Sequence, residues 1–166
     1  MKQFFGMSQS GNLQEAVKGL NSPQLIMLLS NNDQFEAHVK KLEELYPQVP
    51  SIGCIGMSYD TKVVEKGVGV IAFYDGVNAT ANVLEEVSVM PVKYIDRLEQ
   101  DVHTVNGSLN DTVCIDFCSG NDACVLTTIY SVLKKKNISL VGGTGDGGKV
   151  SANGKIYSDA VAYAQA

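Results

Sequence analysis

Residues 139–161 read SLVGGTGDGGKVSANGKIYSDAV, and this stretch shows how the chain is organised. A glycine-rich turn at 142–148 separates two short apolar strands. Asn153-Gly154 is a dipeptide typical of a type I′ hairpin turn and precedes a final strand that runs to Tyr163. No helix follows the glycines and no Gly-Lys-Ser/Thr closes them, so the turn matches neither a dinucleotide-binding loop nor a P-loop.

Outside this stretch, apolar residues switch between a period of two and a period of 3.6, which predicts alternating strands and helices. Asp75-Gly76 is a tight-turn dipeptide, and it predicts a hairpin between strands at 67–74 and 77–89. The fold class expected is α/β: a mixed β-sheet flanked by helices, with β-hairpins in the middle and at the C-terminus. The whole chain, 1–166, is expected to form one domain.

Two later helices have clear apolar faces. Pro91 opens a helix that Asn106-Gly107 ends, and the turn at 119–122 caps the next helix. The residues expected to face inward are Val92, Ile95, Leu98 and Val102 in the first helix, and Val125, Leu126, Ile129, Val132 and Leu133 in the second.

Composition narrows the class of protein. The 166 residues carry 13 basic and 18 acidic side chains, a net charge of −5, which argues against a nucleic-acid partner and an anionic membrane surface. No apolar stretch approaches the length of a spanning helix, and the N-terminus lacks signal-peptide features, so membrane insertion is not expected. Four cysteines in apolar or strand-like segments indicate reduced thiols and a cytoplasmic location.

Several turns are expected to converge on one rim. In open α/β sheets, ligands bind beyond the carboxyl ends of parallel strands, where glycines let the backbone approach closely. The segments at 52–58 and 118–121 end strands, as the glycine-rich turn does. The candidate ligand-binding residues are Cys54, Gly56, Asp116, Ser119, Gly142, Gly143, Thr144 and Asp146.

Each of these residue types also has a simpler structural role. The glycines alone are typical of a plain turn, and the cysteines can simply pack as small apolar side chains. The cysteine spacing is not that of a metal site, so no metal is expected. His38 lies on an apolar helix stripe, where a core histidine is the common outcome and an axial haem ligand the alternative. A thiol hydrolase using Cys54 ranks last, because no base can be named beside it.

A family resemblance rests on five segments that follow one another in order. They are Gln24 to Ser30, Tyr46-Pro47 with Ile52-Gly53-Cys54 following, Lys66 to Val70, the GG-x-x-D turn at Gly142 to Asp146, and the hairpin N-G-x-x-x-x-D-A-V at Asn153 to Val161. This order and spacing resemble the N-terminal half of the FIST sensory domain, over nearly the whole chain.

The resemblance implies a non-catalytic, cytoplasmic bacterial input module that senses a small ligand such as an amino acid. It implies a parent signalling protein, for instance a chemotaxis receptor or sensor kinase, with a C-terminal sensory half and an output domain as partners. No cofactor is expected, and haem-based nitric-oxide sensing is the alternative that the family offers. A homodimer also stays open.

Overall fold

The computed structural model of the chain describes residues 1–56, 58–59, 62–106, 111–120 and 122–166. Its helices are α1 (Leu13–Ala16), α2 (Phe35–Leu45), α3 (Ile95–Thr104) and α4 (Asp122–Leu133), with 3₁₀ turns at Pro91–Tyr94 and Lys134–Lys136. The first strands are β1 (Lys2–Ser8), β2 (Leu25–Ser30), β3 (Ser51–Ile55), β4 (Ser58–Tyr59), β5 (Lys62–Val63) and β6 (Val68–Tyr74). The later strands are β7 (Thr80–Glu85), β8 (Val113–Cys118), β9 (Ser139–Thr144), β10 (Asp146–Ala152), β11 (Lys155–Tyr157) and β12 (Ala160–Gln165).

Two mixed sheets form the centre of the molecule. The first has six strands in the order β1-β6-β2-β3-β10-β11, and the second has four in the order β7-β12-β8-β9. Each sheet contains one parallel pair, β2 with β3 and β8 with β9, and its other pairings are antiparallel. The predicted α/β class with a mixed sheet and flanking helices is therefore confirmed, with two sheets in place of one.

Three apolar cores separate four layers. Helices α1 and α2 pack on the outer face of the first sheet, through residues such as Phe35 and Val39. The inner faces of the two sheets pack on each other around Ile52, Phe117 and Ala162. Helices α3 and α4 cover the outer face of the second sheet. Strands buried on both faces explain why β2 and β12 are apolar without alternation.

The hairpin at Asn153-Gly154 is confirmed, because Ala152 on β10 pairs with Lys155 on β11. A hairpin in the middle is also present, but it joins β4 to β5. The expected pairing across Asp75-Gly76 was wrong, since β6 belongs to the first sheet and β7 to the second. Both turn residues have positive φ, 66° and 84°, and the turn carries the chain from one sheet to the other.

The sequence predicts a glycine-rich turn at 142–148, but most of this segment is strand. Strand β9 continues to Thr144 and β10 begins at Asp146, so only Gly145 lies between the strands. Gly147 and Gly148, with φ of 68° and 66°, lie where the register of β10 against β3 shifts, as at a β-bulge. The expected final strand is also divided, because a turn at Ser158-Asp159 moves the chain from the first sheet to the second.

The predicted helices form with small differences. Leu98 and Val102 are buried, but Val92 is 58% exposed because it lies in the 3₁₀ turn before α3, where the period of three changes its direction. Leu126 is 41% exposed on α4. Three predicted positions lie outside the described residues. They are Met57, predicted to end a strand, Gly107, predicted to end a helix, and Asn121, predicted to cap a helix. Within the described residues, no helix is long and apolar enough to cross a membrane.

Candidate functional site

The carboxyl ends of both parallel pairs meet at one end of the sandwich. There the chain leaves β9 at Thr144, crosses between the sheets through Gly145 and enters β10 at Asp146. The Gly145 N–H donates to the Cys118 carbonyl at 2.9 Å, and Asp146 lies opposite Ile55 of β3. We call this edge the rim and define it by residues 54–56, 118–119 and 143–146.

Close packing or backbone conformation explains why most positions near the rim are glycine. A Cβ on Gly142 would lie 2.0 Å from the carbonyl oxygen of Asp116, and one on Gly145 would lie 2.8 Å from the Cys54 Cβ. Gly147 and Gly148 have positive φ angles, which residues with a side chain adopt only with strain. These four positions therefore require glycine for packing or conformation, without any ligand.

Gly56 and Gly143 differ from these four. Among the described residues, no heavy atom lies within 4 Å of the Cβ position of either glycine, and neither φ falls in the left-handed region. Gly143 is exposed, and Gly56 is half-buried, with its N–H donating to the Ser30 carbonyl at 2.9 Å. Packing and backbone conformation therefore do not account for glycine at these two rim positions.

Cys54 lies on the inner face of the first sheet, 6% exposed, where Gly145 packs against it. Burial raises the pKa of the Cys54 thiol to about 12, and the negative charge of Asp146 adds to the increase. A thiol with such a pKa is protonated at neutral pH and is a poor nucleophile. Its surroundings are those of a packing residue.

Of the predicted ligand-binding residues, Asp116 is buried and Ser119 is hydrogen-bonded to β12. Asp116 is 1% exposed and is on the opposite face of its sheet from the inner core, where its carboxylate accepts from the Cys118 thiol at 3.3 Å. Its carbonyl oxygen and its Oδ1 lie against the Cβ position of Gly142, with which it is paired, so Asp116 is outside the rim as defined. Ser119 bridges β8 to β12, because its N–H donates to the Ala160 carbonyl and its Oγ accepts from the Ala160 N–H, both at 2.9 Å.

His38 is a buried histidine with both ring nitrogens engaged. Nε2 is 2.8 Å from the Gly11 carbonyl, and Nδ1 is 2.7 Å from the Ser30 hydroxyl. Because a carbonyl only accepts, Nε2 carries a proton and Nδ1 accepts from Ser30 in the neutral ring. Burial lowers the pKa of His38, and the bond to Gly11 partly opposes this. An axial haem ligand needs an available nitrogen, so His38 as placed does not fit that alternative.

Two features were missed by the sequence reasoning. A cavity of about 630 Å³ opens at the opposite end of the sandwich, between Phe73, Val77, Val113 and Ile115, and none of the predicted site residues lines it. The cavity forms where β6 and β7 diverge into different sheets. The sequence predicted that these strands pair as a hairpin, so it could not indicate a cavity between them.

Asn32 also approaches the rim, since its Oδ1 lies 2.9 Å from the Cβ position of Gly147. The sequence feature that could have indicated Asn32 is its place two residues after the end of β2.

A buried polar network under α3 was missed as well. The Tyr163 hydroxyl donates to the Asp101 carboxylate at 2.5 Å, and the Asn82 amide donates to the same group at 3.1 Å. Tyr163 is 0% exposed and Asp101 8% exposed. The network connects α3 to β7 and β12, so it holds the helix layer on the second sheet.

The fold and the rim define an α/β sandwich domain with a glycine-lined edge at the ends of its parallel strands. The FIST N domain model matches residues 24–165, and the chain therefore belongs to that family. FIST domains are sensory domains found in signal-transduction proteins. No curated protein sequence matches the chain.

Proposed function

We propose that the chain is the small-ligand-sensing input module of a cytoplasmic signal-transduction protein, such as a chemotaxis receptor or sensor kinase. The rim is the proposed binding edge, and amino acids are the ligand class to test first. A C-terminal sensory half and an output domain are the partners proposed for the parent protein. The net charge of −5 favours a small ligand over a nucleic acid.

One observation carries this proposal. Gly56 and Gly143 lie at the carboxyl ends of β3 and β9, where ligands collect in open α/β sheets. Their Cβ positions point into open space among the described residues, so a ligand could contact the backbone there. Asp146 adds an exposed carboxylate that could pair with a ligand ammonium group.

The proposal is for binding without catalysis. The cysteine-dependent alternative requires a thiolate, whereas burial raises the pKa of Cys54 to about 12. The haem alternative requires a free histidine nitrogen, and both nitrogens of His38 are in hydrogen bonds. Both observations support a sensor that is neither a thiol enzyme nor a His38-ligated haem protein.

A thermal-shift screen of the purified protein against single amino acids tests the proposal. Ligand at one hundred times its dissociation constant stabilises the native state by about 2.7 kcal/mol. For a domain of this size, that corresponds to a rise in Tm of about 5–11 °C. Gly56→Leu and Gly143→Leu are expected to abolish the shift while leaving the protein folded.

Val113→Phe is the control, because it fills the cavity at the opposite end and leaves the rim unchanged. The proposal predicts that this variant keeps the ligand response. A panel with no stabilising amino acid would contradict the ligand class. A response lost in Val113→Phe but kept in both glycine variants would move the site to the opposite cavity.

A further inference from the structure

The cavity at the end of the sandwich opposite the rim has apolar walls. Its volume is about 630 Å³, and small-molecule sites in proteins span about 300–1,000 Å³. Phe73 contributes from β6, Val113 and Ile115 contribute from β8, and Val105 contributes from the C-terminal cap of α3. Side chains from both sheets and from a helix therefore surround one space of ligand size.

Hydrogen bonds fix the walls of this cavity. The Val77 N–H donates to the side-chain carbonyl oxygen of Gln24 at 2.9 Å, which holds the segment between β6 and β7 beside the start of β2. Asn78 Nδ2 donates to the Thr104 carbonyl at 3.2 Å, which joins the same segment to the end of α3. Strand β8 pairs with β12 on one side and with β9 on the other. Because the lining elements are held by these bonds, the cavity is formed before a ligand binds, as most small-molecule sites are.

Packing within the described residues leaves part of the wall uncovered. Phe73 and Val113 are half-buried, although both pack on the core between the two sheets. Ile52 and Ala162 in the same core are 1% and 0% exposed. A ligand that covers the remaining apolar surface removes it from water, which is favourable in proportion to the area covered. The apolar walls thus supply the driving force for binding.

The lining also defines the charge of the ligand. Asp111 has the only charged side chain among the described residues that line the cavity, and it is exposed. The other polar side chains, Asn78, Asn106 and Thr112, are neutral. Met1, which is 81% exposed, also borders the cavity. A charged group loses its hydration when it is buried against apolar side chains, and the described lining offers no basic side chain to an anion. The cavity therefore suits an uncharged apolar molecule and not the zwitterionic amino acid proposed for the rim.

We propose that this cavity is a second binding site, for a small uncharged aromatic molecule, and that it is distinct from the rim. The ring packs against Phe73, where offset or edge-to-face contacts add to the gain from burial, and against the branched side chains of Val113 and Ile115. A polar group on the molecule faces the mouth, where Asn78 and Asn106 offer side-chain amides. Because Phe73 belongs to the first sheet and Val113 to the second, an occupant bridges the two sheets.

Indole is the probe, since it is uncharged and aromatic and carries one N–H donor. The chain contains no tryptophan, so indole emission excited at wavelengths that tyrosine does not absorb comes from the probe alone. Transfer from water into an apolar cavity moves that emission to shorter wavelength. The native protein is expected to give a saturable shift, with half-saturation at about 1 mM or below.

A matched pair of variants assigns the shift to the cavity. Val113→Phe fills part of the cavity and is expected to weaken indole binding by about tenfold or more. Val89→Phe makes the same change at a 78% exposed position outside the lining, and it is expected to bind indole as the native protein does. Equal affinities in the two variants, with circular dichroism showing that both are folded, would contradict the proposal.

Amide chemical shifts of the native protein locate the probe without any substitution, so the proposal stays testable if Val113→Phe does not fold. Indole should move the amide signals of Phe73 and Val105 and leave those of Gly56 and Gly143 at the rim unchanged. An emission that does not change, or amide shifts confined to the rim, would overturn the proposal. Indole is not an amino acid and the rim glycines do not line the cavity. Failure here therefore leaves the sensing proposal unaffected, and a failed amino-acid screen leaves this one unaffected.

Discussion

Alanine at Gly142 and at Gly143 should have opposite effects on stability, although the two residues are neighbours in β9. A Cβ at position 142 would lie 2.0 Å from the Asp116 carbonyl oxygen and 2.3 Å from its Oδ1. Real Cβ atoms essentially never approach closer than 3.0 Å, so β9 must move from β8 by about 1 Å. The contact is with backbone, which cannot rotate away.

The magnitude follows from two opposing effects. Overpacking costs about 1–3 kcal/mol or more. Replacement of glycine by alanine restricts the unfolded chain and returns about 0.4–1 kcal/mol. The net cost of Gly142→Ala is therefore up to about 2.6 kcal/mol, which lowers the Tm by up to about 10 °C in a domain of this size. Gly143→Ala meets no described atom within 4 Å, so the unfolded-state effect remains and the Tm should rise by about 1–4 °C.

Circular dichroism melting curves at one protein concentration measure both variants. Equal destabilisation by the two substitutions would refute the reasoning, because only Gly142 faces Asp116 in the register of β8 and β9. Stabilisation by Gly142→Ala would refute it as well. The rim depends on this register, so the pair of variants is the first experiment to perform.

Two further predictions concern buried polar groups. Tyr163→Phe removes a buried hydrogen bond to the Asp101 carboxylate and should lower the free energy of unfolding by about 1.5–3 kcal/mol in urea titrations. Tyr130→Phe, at a 54% exposed position, should change it by less than about 0.5 kcal/mol, and equal losses would contradict the network's importance. Burial gives His38 a folded-state pKa below its unfolded value. Its contribution to the free energy of unfolding is therefore present above about pH 6.5 and is lost as the pH falls through the folded-state pKa. Unfolding free energies across this range should fall more steeply for the native protein than for His38→Gln; parallel curves would show that His38 is not responsible.

The sequence predicted the elements well where periodicity is strong. The face of α3 through Leu98 and Val102 and the hairpin at Asn153-Gly154 are confirmed, because each depends on contacts within a few residues. The partner of each strand was harder to predict. Asp75-Gly76 has the positive φ angles of a tight turn, yet it joins different sheets. A turn dipeptide specifies a change of chain direction, whereas strand pairing depends on residues far away in sequence.

The same limit applies to the rim. Glycine content suggested a ligand site at 142–148, but Gly142 and Gly145 are required by close packing, and Gly147 and Gly148 by backbone conformation. Only Gly143 in this segment lacks such a reason among the described residues, and Gly56 joins it from β3. Ligand binding at the rim is therefore supported by two positions and not by the glycine-rich motif as a whole. Because packing does not require glycine at these two positions, substitutions there can change binding without changing the fold, whereas substitutions at the other four would confuse the two effects.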